Sequence, residues 1–453
     1  MQIISQANET VVTLLKRFQK TSDQTRMMKY CAHMPVDEGI LLFNLLTREL
    51  VLLTQEEFSQ ATQLEYLKSH WFAVPEETDE KELASFVRWV LKTRQKKDGC
   101  ISGYTIFPTT DCNARCFYCF ELGRSRMPMS QETALKVVQY IKNHHGDKDV
   151  HINWFGGEPL FNQAVIDTIS EGLRQAGIQY KSSMTSNGYL FDADTVRKAA
   201  ENWNVQNVQI TLDGTEAVYN KTKAYIYRQG NPYQIVMSNI ERLLDAGIYV
   251  VIRMNMDLYN AEDLLKLSEE LGQRFGNRRN IHAYVRHIFG DNQPIAERHD
   301  AQGWEVREEA LKRIEERLAA WNLAHKDGVS KSIKVAYCKA DCGHAVTILP
   351  DGSIGLCEQF SESEFIGHID REGFDQTVVD SWKQTMPEIP ECADCFYYPE
   401  CINLAKCANT KICFLQQRQW ILRQTQQQML NEYRRWQTHT PAEDSDDLNM
   451  TDC

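Results

Sequence analysis

Between about residues 104 and 290 the chain repeats one pattern: a short strand-like run, a loop of small or polar residues, then a helical stretch. The runs fall at 104–107, 151–155, 181–185, 208–212, 249–254 and 281–285. Helical spacing fills the gaps, as at 130–144, where Ser130 is placed as N-cap, and at 260–275, which opens on Asn260. Alternation of this kind predicts βα units around a parallel sheet or barrel. The unusual residues then collect in one place. Cys112, Cys116 and Cys119 follow the first run and Gly156-Gly157-Glu158-Pro159 the second. Ser186-Asn187-Gly188 follows the third and Asp213-Gly214 the fourth. Each lies just past the C-terminal end of a strand, the end that carries the chemistry in βα barrels.

The cysteines of C-N-A-R-C-F-Y-C are spaced C-x3-C-x2-C. Three thiolates on one loop can hold three irons of a cubane, and four cysteines are the usual complement. The fourth iron is left open, and an open position is where a metal reacts. A zinc loop is the competing reading, but structural zinc is closed by four ligands. The run resembles the signature of the radical S-adenosylmethionine (radical SAM) enzymes, in which the cofactor's amino and carboxyl groups complete the cluster. That resemblance implies a partial (β/α)6 TIM-type barrel, a 4Fe–4S cluster and S-adenosylmethionine. It places Gly-Gly-Glu-Pro (Gly156, Gly157, Glu158, Pro159) at the methionyl amino group, Thr211 at the ribose and the backbone of Tyr118 near the adenine. Glycine at 156 and 157 lets backbone approach a ligand closely. Ser186, Asn187 and Asp213 join the expected cofactor contacts, Asp213 chiefly as a brace for its turn. Relatives often carry His and Arg after the Asp-Gly pair; Tyr219 and Lys223 stand there, and an ammonium does not replace a guanidinium fork. Arg253, Asn255 and Asp257 alternate, so they share one face. They read as a polar lining near cofactor or peptide, or as an internally satisfied network.

A length of 453 residues predicts two or three domains, and 42% hydrophobic with 25% charged residues is a soluble globular composition. No apolar stretch nears the ~18 residues of a membrane span, and the N-terminus lacks a signal-peptide layout. A net charge of −12 argues against a nucleic-acid surface. Fourteen cysteines are too few for a disulfide scaffold in a chain this long, and a reducing cytoplasm, the expected location, would not keep one. Their clustering indicates metal.

The C-terminal third repeats that indication. Cys342 is followed by nine residues, Gly352, four more and Cys357; then come Cys392-x2-Cys395-x5-Cys401-x5-Cys407 and Cys413. This resembles the SPASM extension of radical SAM enzymes, with x5 in place of x3 before Cys407. Cys338 supplies an eighth thiol. By that resemblance Cys338, Cys342, Cys357 and Cys407 hold one auxiliary 4Fe–4S cluster, and Cys392, Cys395, Cys401 and Cys413 the other, three clusters in all. A zinc-ribbon-like site is the alternative. At the other end, extended pieces at 29–36, 39–46 and 49–53 lie between helical patterns at 10–20, 54–70 and 79–95. The layout is that of a winged-helix-like (βββααα) unit and resembles the domains that hold the leader of a precursor peptide as an added edge strand. A folded extension that only packs on the core is the alternative. The expected division is 1–98 for peptide binding, 99–300 for the α/β barrel, 301–437 for the cysteine-rich SPASM part with a helix, and 438–453 as an acidic disordered tail.

In this family the cluster and S-adenosylmethionine yield a 5′-deoxyadenosyl radical, and auxiliary clusters can take up an electron as a new bond closes. The expected activity is oxidative cross-linking, thioether or carbon–carbon, within a ribosomally made precursor peptide. Flavodoxin or ferredoxin is the kind of reductant implied, and neither nucleic acid nor membrane is an expected partner. Glu358, beside Cys357, stands where sulfatase-maturing relatives carry a proton-accepting acid, so it is the candidate base; a solvated loop residue is the other reading. Two other activities remain open. One is formylglycine formation by an anaerobic sulfatase maturase, against which Phe155 stands where those enzymes usually carry Gln. The other is a non-catalytic electron carrier, against which the three-cysteine loop stands.

Overall fold

The computed structural model describes all residues except 21, 95–98, 122, 227–228, 258, 289–300, 336–337, 359–363, 402–403, 407–417 and 439–453. The described residues divide into two compact units, each discontinuous in sequence. One comprises the described parts of Met1–Lys96, Lys326–Tyr337 and Lys383–Ser445; the other comprises those of Lys97–His325 and Cys338–Trp382. The segment expected as 301–437 is therefore shared between both.

The first unit is built on an antiparallel sheet of β1 (Gln2–Ser5), β3 (Cys31–Val36), β4 (Gly39–Asn44) and β5 (Glu49–Leu53), in the order β1-β5-β4-β3. Strands β2 (Thr25–Met27) and β6 (Ala73–Pro75) pair separately. Helix α1 (Glu9–Leu15) starts at Asn8, whose side chain accepts from the Val11 amide. The stretch expected as one helix at 54–70 is two: α2 (Gln55–Ser59) and α3 (Glu65–Ser69). Thr54 and Glu57 form a capping box that starts the first, but Leu64 turns extended and restarts the chain. Helix α4 (Glu80–Arg94) buries Leu83, Ala84 and Val87. These share one apolar core with Leu41, Phe43 and Leu50 of the sheet, with Cys395, Phe396 and Tyr398, and with Ile421, Met429 and Tyr433 of the helix Arg418–Thr438. The N-terminal module and the segment carrying Cys392, Cys395 and Cys401 thus share one core.

The second unit holds six consecutive parallel strands: β7 (Gly103–Thr109), β8 (Val150–Gly156), β9 (Tyr180–Ser186), β10 (Val205–Leu212), β11 (Tyr249–Met256) and β12 (Ile281–His287). Between them run α5 (Gln131–His144), α6 (Gln163–Gln175), α7 (Ala193–Glu201), α8 (Glu216–Lys223), α9 (Pro232–Asp245) and α10 (Ala261–Phe275). Ser130 caps α5 by accepting from the Thr133 amide. A seventh parallel strand, β13 (Ala345–Ile348), joins on the β7 side and turns back through β14 (Ser353–Gly355) to β15 (Gly367–His368). The result is an α/β fold on a parallel sheet. Its two faces differ because side chains alternate. Ile152 and Trp154, Val208 and Ile210, Val250 and Ile252 are fully buried. The intervening Asn153, Gln209, Thr211 and Arg253 are polar and half-buried. Thr105, Asn153 and Ser183 stand abreast on that polar face, where Ser183 Oγ donates to Asn153 Oδ1 at 3.2 Å. Tyr284 Oη donates to Gln209 Oε1 at 2.8 Å.

Candidate active site

The cysteine loop leaves the C-terminal end of β7 and is held by its neighbours' loops. Gly157 N donates to Thr109 O (3.1 Å) and Glu158 N to Asp111 O (2.8 Å). A Cβ on Gly156 would strike the Thr109 carbonyl, and one on Gly157 the Asp111 carbonyl. The close approach these glycines permit is thus to the start of the cysteine loop, a packing reason beside the ligand reason read from sequence. Glu158 is fully buried. It accepts Ser186 Oγ (2.8 Å) and the Leu160 amide (3.3 Å) on one oxygen and the Asn187 amide (2.8 Å) on the other. Burial outweighs these donors and pushes its carboxyl up to about 7. Pro159 opens the short 3-10 turn that follows. Asn187 Nδ2 donates to Asn113 Oδ1 (2.6 Å) and lies 3.8 Å from Cys112 Sγ. Three strand-end loops are therefore stitched together around Cys112.

A buried ion pair bridged by a phenol, a triad of side chains, fixes the other side of the loop. Tyr118 Oη donates to both oxygens of Asp213 (2.9 and 2.7 Å), and Lys223 Nζ donates to Tyr118 Oη at 2.9 Å. Lys223 Nζ also lies 3.0 Å from Asp213 Oδ2, with side-chain exposures of 4% and 1%. Burial opposes the ammonium, but Asp213 more than offsets it, so Lys223 stays charged. Burial likewise holds the Tyr118 phenol protonated, against the pull of Lys223. Arg115 N donates to Lys223 O at 2.8 Å, closing the brace. Asp213, read from sequence chiefly as a brace for its turn, engages Tyr118 of the cysteine loop through both carboxylate oxygens. Lys223, set aside on sequence as a carboxylate ligand, is committed to this pair.

Thr211 is half-buried on β10 and paired in register with Arg253 on β11. Arg253 Nε donates to Asn255 Oδ1 at 2.9 Å. Asp257 departs from the expected alternation: β11 ends at Met256, and Asp257 caps the following turn through the Tyr259 and Asn260 amides. Lys339 was not singled out by sequence. Its Nζ donates to Thr105 Oγ1 (2.8 Å) on the polar face and ion-pairs with Glu358. Burial works against the Glu358 carboxylate, yet Lys339 overrides it and holds the carboxyl below its usual range. The position of a lysine between two expected cluster cysteines was the available clue.

Burial pushes the Cys112 thiol up to about 12 and raises that of Cys119. Cys338 Sγ accepts from the Ala340 amide (3.5 Å) and Cys342 Sγ from the His344 amide (3.4 Å). Cys338 and Cys357 lie where, as thiolates, both would favour the Lys339 ammonium. All three belong to the second unit, whereas Cys392, Cys395 and Cys401 belong to the first; Cys407 and Cys413 lie outside the described residues. Among the described residues no three His, Cys, Asp or Glu converge as ligands of a single ion. A cubane asks for something different, one thiolate on each of several irons, and the half-buried three-thiol loop fits that donor set.

Residues 106–271 match the Radical SAM superfamily. They are a radical SAM domain. The family implies a 4Fe–4S cluster and S-adenosylmethionine, and this radical SAM domain contains the three-thiol loop and the three loops packed around it. Two curated relatives are similar in sequence. A "Probable GTP 3′,8-cyclase" of Methanococcus maripaludis is 28% identical over 153 residues, 33% of this chain and 47% of that protein. Another, of Archaeoglobus fulgidus, is 28% identical over 160 residues, 34% of this chain and 49% of that protein. The match thus spans about half the length of each relative. Among solved structures, a hexahistidine-tagged anSMEcpe with bound AdoMet has a TM-score of 0.58 at 15% identity, over 75% of this chain and 99% of that one. Streptococcus suis SuiB bound to precursor peptide SuiA has a TM-score of 0.50 at 13% identity, over 85% and 96%. These likenesses show the fold. No helix among the described residues is long and apolar enough to cross a membrane.

Proposed function

We propose that this chain is a radical SAM peptide maturase that oxidatively cross-links residues of a ribosomally made precursor peptide, through sulfur or carbon. The observation that carries the reading is the open three-thiol loop, packed against Gly-Gly-Glu-Pro beside a polar sheet face, in a chain with two further cysteine sets. Structures of similar fold include anSMEcpe with a Cp18Cys peptide, at a TM-score of 0.53, and SuiB with SuiA, which supports a peptide substrate.

Cys112, Cys116 and Cys119 would hold the cluster that, with S-adenosylmethionine, supplies a 5′-deoxyadenosyl radical able to take hydrogen from an unactivated carbon. Cys338, Cys342, Cys357 and Cys407, and Cys392, Cys395, Cys401 and Cys413, would hold auxiliary clusters offering a one-electron sink. The chain's own residues do the positioning. Glu158 and the Tyr118–Asp213–Lys223 triad fix the cysteine loop. Thr211, Arg253 and Asn255 offer donors and acceptors to cofactor or peptide. Glu358 takes the proton that leaves the substrate's thiol or amine, on the oxygen not paired with Lys339. A flavodoxin- or ferredoxin-type carrier supplies the electron.

The first unit is read as the leader-binding part, by strand addition. Its β3 edge is poorly suited: Pro35 lacks an N–H, and Gln426 Nε2 already donates to the His33 carbonyl at 3.0 Å. The reading therefore places the leader on the β1–β5 side, where exchange protection of backbone amides on peptide addition tests it; protection confined to β3 would contradict it. Formylglycine formation is the second reading, and a hydrazine-reactive carbonyl in the peptide product distinguishes it from a cross-link.

A further inference from the structure

The segment carrying Cys392, Cys395 and Cys401 is fastened to the N-terminal module by one stripe of α4. Lys81, Ser85 and Arg88 stand at i, i+4 and i+7, so they share a helix face. Lys81 pairs with Glu388. Ser85 Oγ meets Tyr398 Oη at 2.9 Å, and Tyr398 Oη donates to Glu388 Oε1 at 2.8 Å. Arg88 donates to the carbonyls of Tyr398 (2.6 Å) and Cys401 (2.8 Å), the second belonging to a cysteine itself. From the turn between β4 and β5, Arg48 approaches the same segment. Its backbone is left-handed (φ 65°), a conformation costly for a side chain of this length. Its buried guanidinium pairs with Glu400 at 2.9 Å and donates to the Ser330 carbonyl at 2.8 Å. The adjacent stripe of α4, Leu83, Ala84 and Val87, packs in the core that also takes Cys395.

We infer that α4 and Arg48 are part of the second auxiliary cysteine site, so that cluster assembly there and folding of the N-terminal module are linked. The inference rests on reading Cys392, Cys395 and Cys401 as cluster ligands. A group that binds only the folded form stabilises whatever the fold needs in order to bind it, and the linkage runs both ways. The arginines hold the loop that presents the thiolates; an occupied site in turn holds α4, the helix whose side chains reach that loop. A peptide docked on the module would then act on a body that contains an electron-accepting site, with no separate signal needed between them.

The test uses the full-length chain, reconstituted anaerobically. Arg88→Ala is expected to lower iron by about four per chain, one cubane, while Arg94→Ala in the last turn of α4 leaves it unchanged. Arg88→Lys, which keeps charge but loses the two-pronged donor, is expected to fall between them. In the reverse direction, Cys392→Ala with Cys395→Ala, all arginines intact, is expected to raise amide exchange in α4 about tenfold or more. Wild-type iron in Arg88→Ala, or unchanged α4 exchange in the cysteine variant despite iron loss, would overturn the linkage alone. A wild-type chain that holds only about four irons would instead overturn the auxiliary-cluster reading beneath it.

Discussion

Replacing Asp213 by Ala isolates the Lys223 ammonium in a site where its side chain is 4% exposed. Breaking a buried pair from one side costs about 3–5 kcal/mol, because the remaining charge is left uncompensated. A second estimate bounds it. The lysine can escape by losing its proton, and from ~10.4 to pH 7 that costs roughly 3.4 pH units at 1.36 kcal/mol each, about 4.6 kcal/mol. The two estimates agree, so local opening around β10 is expected to become easier by about two to three and a half powers of ten. In the wild type Asp213 holds the folded-state ammonium charged above its ordinary pKa, so its contribution is flat between pH 7 and 9. In the variant the folded-state pKa falls below the unfolded value, folding releases a proton, and stability climbs with pH until the unfolded pKa. The deficit is expected to shrink by about 1.4 kcal/mol per pH unit over that window. Hydrogen exchange of the β10 amides and of the Arg115 amide, whose carbonyl partner is Lys223, reads both quantities in the apo protein. Asp213→Asn combined with Lys223→Met, which removes both charges, is expected to recover most of the loss. A deficit under about 1 kcal/mol, or one that grows from pH 7 to 9, would refute the argument that this pair carries the loop.

Other substitutions test other parts of the site. Cys112, Cys116 and Cys119 replaced together by Ala are expected to remove about four of some twelve irons and abolish 5′-deoxyadenosine formation, by iron assay and chromatography. Gly157→Ala, whose Cβ would meet the Asp111 carbonyl, is expected to lose the same iron without touching a ligand; full retention would return that glycine to a ligand-contact role alone. Glu358→Gln is expected to keep 5′-deoxyadenosine formation with peptide while cross-linked product falls about a hundred-fold or more. Lys339→Met removes the charge that holds the Glu358 carboxyl low. The acid limb of the product–pH profile is therefore expected to move to higher pH, and an unmoved limb would mean Glu358 is not the titrating base.

Much of the second unit was legible because its signals are long and local. Six strand-like runs of four to six residues, separated by loops and helix-length stretches, located all six strands of the βα repeat. The strand-end loops that pack around the cysteines were legible because closely spaced cysteines, Gly-Gly and Asp-Gly are rare in combination. The first unit was less so. Strands β1, β2 and β6 span three or four residues each and carry too little alternation to register. Local pattern also put a module boundary at about residue 98, but it does not reveal long-range cores. Val87 packs in one core with Met429 and Tyr433, so truncation near residue 95 would strip that core rather than release an independent domain. The buried triad and the Lys339–Glu358 pair were invisible for the same reason: Tyr118 lies 95 and 105 positions from its two partners, and Lys339 lies 19 from Glu358. A lone lysine is ordinarily a solvated surface residue.

The most direct test of the account is a mass measurement on peptide. The reconstituted enzyme is supplied anaerobically with S-adenosylmethionine, a reductant and each short peptide encoded beside its gene, with GTP in a parallel reaction. The account predicts 5′-deoxyadenosine together with a peptide lighter by two hydrogen atoms and resistant to fragmentation across the bridged residues. Formation of 5′-deoxyadenosine with every peptide unchanged in mass while GTP is consumed would contradict it.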